Sequence, residues 1–569
     1  MKHLQQNYFN KMNKLKINLI LTFIIFTSVT LPMATIGQSH NEKVTIVGSF
    51  QPNLRESVKI NLNPEEKKNE FEVGEVNFSN LQKIILLKNE APLIAASTVR
   101  TDEKKSNFRN YLKAGFGSNL SPLFRFQHHS ALSKNTLLNL GLKHHSSWVN
   151  VRDFAPSTWM KNKLDIGIQH AFNDYILNTE ADYSYDQMYY YGFKPSDFPD
   201  TIINKDALLQ HYQRLNVQAQ LSSNYNNVNY LHHSFGVKYS YFSDKYSQYE
   251  HQLAVNGQLQ KYYDWFNYDG TQLTGLDFGT SFVSGGDSLI NRQTIWLNAR
   301  PYLTLTGSFY ELRAGLALSV AVNNNSEVFV HPELAGKLYI FNNQVELYAA
   351  FGGKSEEHTT NSLTFENPFL KTGNHHFFSN TKKLFQTGIK TSAIPRLDLH
   401  LGFSYQETDN GAFVVTDTNS LFNNYLAFIF NDYQRLGFVV EASYHFNDQW
   451  RSRLEVQFNQ YETKTLAKAW HKPEFEAQWT VNYNFNPQWN FETEVFVSGE
   501  RFAQGNKSSL FKPIRLKPIA DINVAANYRI TEQFSIFAQC NNVINNRYER
   551  FYNYPVQGFQ ILAGIKLLF

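Results

Sequence analysis

The chain closes on Phe559-Gln-Ile-Leu-Ala-Gly-Ile-Lys-Leu-Leu-Phe569. Side chains alternate along a strand with a period of two, so Phe559, Ile561, Ala563, Ile565, Leu567 and Phe569 share one face. Gln560, Gly564 and Lys566 take the other, with Leu562 and Leu568 between them. An unbroken apolar face on a strand that ends the chain suits a barrel whose last strand pairs with its first. In a bilayer an open edge leaves backbone groups without partners, so such a sheet has to close.

The N-terminal end agrees. Lys11, Lys14 and Lys16 precede an apolar run from Ile17 to Leu31, followed by Pro32 and small residues up to Gly37. That order predicts a cleaved secretory signal peptide over residues 1–37, with the cut between Gly37 and Gln38. No later stretch reaches about 18 apolar residues, which excludes helical spanning and leaves a barrel as the way to live in a bilayer.

Composition narrows the classes further. Aromatic residues make up 15% of the 569, with 47 Phe and 32 Tyr, as strand propensity and interfacial girdles require. A single cysteine, Cys540, rules out an internal disulfide framework and a cysteine-based zinc site. A net charge of +4, spread along the chain, leaves no basic stripe for nucleic acid.

Period two recurs along the chain. Leu312, Ala314, Leu316, Leu318, Val320 and Val322 alternate with Arg313, Gly315, Ala317 and Ser319. Phe475, Ala477, Trp479, Val481, Tyr483 and Phe485 alternate with Glu476, Gln478, Thr480, Asn482 and Asn484. A soluble sandwich also shows alternation, but segments of ten residues or more suit a tilted bilayer crossing. Tyr444-His-Phe-Asn-Asp-Gln-Trp450, Tyr483-Asn-Phe-Asn-Pro-Gln-Trp489 and Tyr528-Arg-Ile-Thr-Glu-Gln-Phe534 repeat one pattern of aromatic strand end, polar turn and aromatic strand start. Phe172-Asn-Asp-Tyr175 and Phe341-Asn-Asn-Gln344 are shorter versions. These turns are expected to face the periplasm. Longer connections, at residues 147–161, 189–209, 264–273, 354–380 and 500–516, are expected outside. The expected architecture is all-β, a transmembrane antiparallel barrel of about 22 strands over residues 108–569. A short irregular periplasmic arm, residues 38–107, precedes it.

Two resemblances add to this reading. The terminal strand ending on Phe569 resembles the signal that bacterial outer-membrane barrels present to their insertion machinery. Asn541-Asn-Val-Ile-Asn-Asn-Arg-Tyr548, then Tyr554-Pro555 and Gly558, resembles the end of TonB-dependent receptors, with Phe559 where that family usually has Arg. The likeness covers about the last 130 residues. It implies a Gram-negative outer-membrane barrel that transports a nutrient. That family carries an N-terminal plug of well over a hundred residues, whereas the arm here has about 70 and is charged and irregular. The stretch from Val44 to Pro64, followed by Asn110-Tyr-Leu-Lys-Ala-Gly-Phe-Gly117, also resembles a group of plugless, receptor-like barrels of the Bacteroidota. Glu42-Lys-Val-Thr-Ile-Val-Gly48 resembles the segment that an energising TonB-like partner captures by strand addition, which places partner binding at Val44, Thr45, Ile46 and Val47. A plain extended strand or arm is the competing reading of these residues.

Catalytic chemistry is not evident. Four His-His pairs, at 128–129, 144–145, 232–233 and 375–376, cannot each chelate one metal, since neighbours in a strand point to opposite faces. Glu492 and Glu494 share a face and suit lumen electrostatics. Tyr189-Tyr190-Tyr191 reads as part of the outer aromatic girdle, or as a stacking surface for a ligand. The expectation is a non-enzymatic barrel with no cofactor. Its partners are the lipid bilayer, the barrel-insertion machinery and a periplasmic protein. Three functions stay open: nutrient transport, a non-catalytic subunit of a larger outer-membrane assembly or secretion machine, and a passive porin. Twenty-two unplugged strands enclose a wide hole, so the long loops, the arm or another protein should occlude it.

Overall fold

The computed structural model describes residues 108–263, 270–287, 291–323, 326–371, 373, 375–504 and 513–569. Within them, 22 strands form one sheet, from Asn110–Gly117 to Gln560–Leu568. Each pairs antiparallel with the next in sequence, and the first pairs with the last in register from Tyr111↔Leu568 to Gly117↔Leu562. The seam is completed at its tip: the amide N–H groups of Arg109 and Asn110 both donate to the Phe569 carbonyl, at 3.0 and 2.8 Å. Closure removes both edges, as hydrocarbon demands. Two small hairpins, Arg501–Gln504 with Pro513–Leu516 and Glu549–Phe551 with Tyr554–Pro555, stand apart from the barrel in its loops.

The two faces follow the alternation read from sequence. On the strand Tyr310–Val322, Leu312, Leu316 and Leu318 point outward, at 48, 38 and 37% exposure, and on the next strand Val330 and Leu334 do the same. Exposed leucines along whole strands are stable only where lipid replaces water. The inward positions carry ion pairs, such as Arg300 between Asp277 (2.5 Å) and Glu333 (3.7 Å), and Lys337 with Glu311 (3.1 Å). This is a wet lumen inside an apolar belt, the architecture of an outer-membrane barrel.

One end carries short turns, and the repeated sequence pattern has a physical cause there. Asn447 Oδ1 accepts from the N–H groups of Gln449 and Trp450, at 2.9 and 2.8 Å. Asn486 Oδ1 repeats this with Gln488 and Trp489, and Thr531 Oγ1 with Gln533 and Phe534. A short polar side chain thus satisfies the two amides that the tight turn frees. The aromatics that bracket these turns pack as a rim, with Trp450 4.3 Å from Tyr483 and Trp489 4.6 Å from Tyr528, ring to ring. Both chain ends of the barrel, Asn110 and Phe569, lie at this end.

Two expectations need correction. The connection at 264–273 joins the strands Tyr249–Tyr263 and Thr271–Gly286, which run toward and away from the short-turn end. It therefore belongs with the short turns, not outside; counting strands along the closed ring decides this, whereas loop length misleads. Residues 264–269 themselves, like residues 1–107 with the expected signal peptide, arm and Val44–Val47 segment, lie outside the described residues. The strands are also unequal. Leu397–Asp417 and Tyr425–His445 each hold 21 residues, about twice what a tilted crossing needs, and so form a wall that rises beyond the bilayer at the long-loop end.

The outward face makes a direct prediction. Ile565→Arg, which places a cation against lipid, should lower unfolding stability in bilayers by about 2–4 kcal/mol if it lies near the midplane. Lys566→Gln, one residue on and facing the lumen, should cost less than about 1 kcal/mol. Urea titration of the folded barrel in lipid vesicles measures both.

Candidate functional site: loops that meet over the barrel mouth

At the long-loop end the connections fold inward and pack on one another. The loop after the fifth strand, Tyr175–Tyr189, and the loop after the fifteenth, Leu397–Asp417, start ten strands apart on a ring of 22, close to opposite sides. They nevertheless touch. Asn424 Nδ2 donates to the Tyr190 carbonyl at 2.8 Å, and the rings of Phe193 and Phe422 stack at 4.1 Å. The loop after the thirteenth strand reaches the same point, where Tyr190 Oη donates to the Leu370 carbonyl at 3.0 Å.

Tyr554, from the last loop, sits where these three meet and is 2% exposed. Its ring stacks on Phe369 at 3.8 Å and meets Tyr191 edge-on at 4.9 Å. Its hydroxyl donates to the Asn424 carbonyl, and Tyr191 Oη in turn donates to the Pro555 carbonyl at 2.9 Å. Gly192 makes this approach possible: a Cβ there would stand 2.6 Å from the Tyr554 ring. Four loops thus share one buried aromatic centre, together with Leu426, Val414 and Phe551.

The motif around residues 541–558 explains how Tyr554 is held. Asn542 takes a left-handed conformation (φ 50°); its Nδ2 donates to the carbonyls of Asn546 (2.7 Å) and Gln557 (3.2 Å), while its Oδ1 accepts from Asn546 N–H. Asn545 Oδ1 accepts from Phe559 N–H at 2.9 Å, which ties the loop to the start of the closing strand. Tyr548 Oη donates to Asp521 at 2.8 Å. The asparagines and tyrosine of the pattern therefore fix a loop that presents Tyr554 over the lumen.

The other loops buttress this centre. Arg214, on the lumen wall, is 5% exposed and pairs with Asp186 at 3.1 Å while donating to Asn361 and Thr364. It thereby pins the short helix Thr360–Glu366, whose first turn is closed by reciprocal bonds between Thr359 and Ser362, against the far strands. Tyr212 Oη fixes the same loop by donating to the Pro368 carbonyl at 2.9 Å. Arg501 donates to the carbonyls of Arg550 and Glu549, at 2.7 and 2.6 Å. Trp470, 2% exposed, packs with Phe413 and Val415.

His471 lies beside Trp470, outside the membrane-spanning strands. Its Nε2 accepts from Tyr552 N–H at 3.2 Å, and its Nδ1 lies 3.0 Å from the Val414 carbonyl. That arrangement suits neutral imidazole with its proton on Nδ1, because a second proton on Nε2 would face a donor. Burial is the main cause that lowers its pKa, to about 4, with Arg501 and Lys472 adding to it and the Val414 carbonyl opposing.

The sequence-derived candidates fall as follows. Phe559, Ile561, Ala563, Ile565 and Phe569 are exposed on the outward face of the closing strand, and Leu567 shares that face half-buried. The His pairs that lie in strands split as alternation requires, whereas His375 and His376 precede the strand Phe377–Ile394. His128 bonds Asn110 and Ser130 on one face while His129 bonds Asn139 on the other; His144 bonds Asn162, and His145 packs edge-on with Trp159. His376 pairs with Glu357 at 3.0 Å, and among the described residues no group of three His, Cys, Asp or Glu is placed to hold a metal ion. Glu494 accepts from Gln478 inside the lumen. Tyr190 and Tyr191 are a correction: they belong to the cap and not to a lipid-facing girdle, because the chain leaves the barrel wall after Tyr189 and turns inward at Gly192. Asn424, Phe369, Trp470 and His471 escaped sequence reading altogether, since nothing local marks them.

No family model matches the chain. Its fold does have solved counterparts, at low sequence identity. The ferric-catecholate import receptor Fiu of E. coli K12, in its closed form, superposes with a TM-score of 0.63 at 10% identity, over 81% of this chain and 82% of that one. The siderophore receptor PirA of Acinetobacter baumannii gives 0.63 at 11%, over 81% and 80%. The copper transporter OprC gives 0.58 at 14%, over 81% and 80%. The barrel thus shares the fold of these outer-membrane proteins.

Two outcomes test the cap. Tyr554→Ala should remove about 3–5 kcal/mol of packing, and Tyr554→Phe about 0.5–1.5 kcal/mol through the lost hydrogen bond. Amide exchange at Tyr190–Phe193 should accelerate in that order. For pH, a loosened loop takes up a proton on His471 below its ordinary value of 6.5, whereas the packed loop refuses it down to about 4. His471 therefore contributes fully above pH 6.5, and its contribution is lost as pH falls toward 4. Glu549, whose carboxyl burial pushes up, acts in the opposite sense, so the comparison needs a variant. Trp470 fluorescence in wild type should report loosening between these values that His471→Gln reduces.

Proposed function

We propose that the chain is an outer-membrane transport barrel that admits a nutrient through its lumen and is gated at the outer mouth by the loop cap. One observation carries this reading: loops rooted on nearly opposite sides of the ring bury a common aromatic centre at Tyr554. A passive porin gains nothing from such a centre, whereas a transporter of bulky solutes needs a wide barrel kept shut between passages. The shared fold with an import receptor and a copper transporter favours import over catalysis.

Under this reading a cleaved signal peptide over residues 1–37 delivers the chain, the closing strand Phe559–Phe569 is its insertion signal, and the arm meets the periplasm. Val44–Val47 offers a strand for a TonB-like partner to capture, which couples cap opening to an energy source. A second reading, a non-catalytic subunit of a larger assembly, is favoured by the wall of two 21-residue strands. That wall presents Phe430, 44% exposed, and the turn joining its strands presents Leu421, 67% exposed. A gentle pull-down from native membranes separates the two, since a stoichiometric outer-membrane partner supports the subunit.

Planar-bilayer recording tests the gate. Wild type should stay closed, and Tyr554→Ala combined with Tyr191→Ala should pass large currents. Cysteines at Phe193 and Phe422, in a Cys540→Ser background and joined by a short bismaleimide, should silence any residual openings. Large steady currents from wild type would sink the gated reading in favour of the porin.

A further inference from the structure

Five strands around the seam place five cations side by side on the lumen wall. Lys566 stands opposite Lys113, Lys113 opposite Arg125, Arg125 opposite Lys143, and Lys143 opposite Lys163. Neighbouring strands lie about 4.8 Å apart, so the row spans about 19 Å. Like charges directly opposite one another destabilise a sheet, which makes an unbroken row of five costly to keep without a use.

Aromatic, amide and carboxylate groups surround the row. Lys113 lies over the Phe537 ring at 4.3 Å and Lys566 lies 5.7 Å from the same ring, so both ammoniums rest against one aromatic ring. Lys566 also donates to Asn527 at 2.6 Å, a neutral partner. Carboxylates reach two of the cations: Asp182 is 4.0 Å from Lys163, and Asp165, whose carboxylate lies over Gly141, acts on Lys143. Charges of one sign on a low-dielectric wall focus field and concentrate counter-ions.

The geometry points to a binding stripe for small multivalent anions, whose carboxylate or phosphate oxygens bridge neighbouring cations of the row. This names a substrate class for the transport reading and rests on it only for the route of entry; binding itself is measured without flux. A span of several cations selects for charge number, so a trivalent anion should outbind a monovalent one by far more than bulk screening accounts for.

The test is calorimetric titration of the full chain in detergent at low ionic strength, with tripolyphosphate and tricarballylate as separate probes and acetate as the monovalent control. The first two probes distinguish phosphate from carboxylate recognition. Wild type should bind at least one of them saturably, and Arg125→Gln with Lys143→Gln should weaken that at least tenfold. Lys238→Gln, a lumen lysine outside the row, should leave it unchanged. The double variant should unfold no more readily than wild type, since it relieves repulsion; a marked loss of stability would mean that the row is structural. Binding by the double variant equal to wild type, or no binding of either multivalent anion by wild type, overturns the proposal.

Discussion

Everything in this structure depends on one constraint: a sheet in hydrocarbon leaves no backbone amide or carbonyl unpaired. The Phe569 carbonyl accepting from Arg109 and Asn110 is where that constraint is met, because it locks the end of the chain to the start of the barrel. Once the ring closes on 22 strands, its diameter is set, and with it a lumen too wide for the wall's own side chains to fill. Under the gated reading, the loop cap is the answer to that width. Closure and occlusion are thus one problem met at two ends of the same strand. Phe569 completes the seam, and the loop before Phe559 carries Tyr554 to the centre of the mouth.

The division of labour between faces and ends is chemical. Outward positions hold Leu, Ile, Val and aromatic residues, inward ones hold charge and amide, and the change from one to the other is a single residue step. At the short-turn end a side-chain oxygen of Asn or Thr takes up the freed amides, which needs only local sequence. At the long-loop end, hydrogen bonds run between segments 130 to 234 residues apart, from Tyr554 to Asn424, Tyr190 to Leu370 and Asn424 to Tyr190.

That difference explains what the sequence revealed. The barrel was legible because alternation is local: Leu312 to Val322 shows its lipid face without reference to any neighbour, and Asn447, Asn486 and Thr531 mark their own turns. The last-loop pattern was legible as a resemblance, and its physical role became clear only when Asn542 and Asn545 were seen to hold Tyr554 in place. The cap was not legible. Tyr189-Tyr190-Tyr191 looks like a girdle until the ring brings Leu370 and Asn424 beside it. Residues 264–273 look like an outer loop by length, and only strand parity assigns them to the other end. The cation row is invisible for the same reason, since positions 113, 125, 143, 163 and 566 align only through register.

The central claim is that the loops around Tyr554 are what close this barrel. The most direct measurement is the entry of a large hydrophilic glycopeptide antibiotic into cells carrying the full chain, with wild type compared with Tyr554→Ala at equal outer-membrane levels. The account predicts resistance with wild type and sensitivity with the variant. Equal resistance with both, the barrel being folded and present, would contradict it and place the occluding element elsewhere.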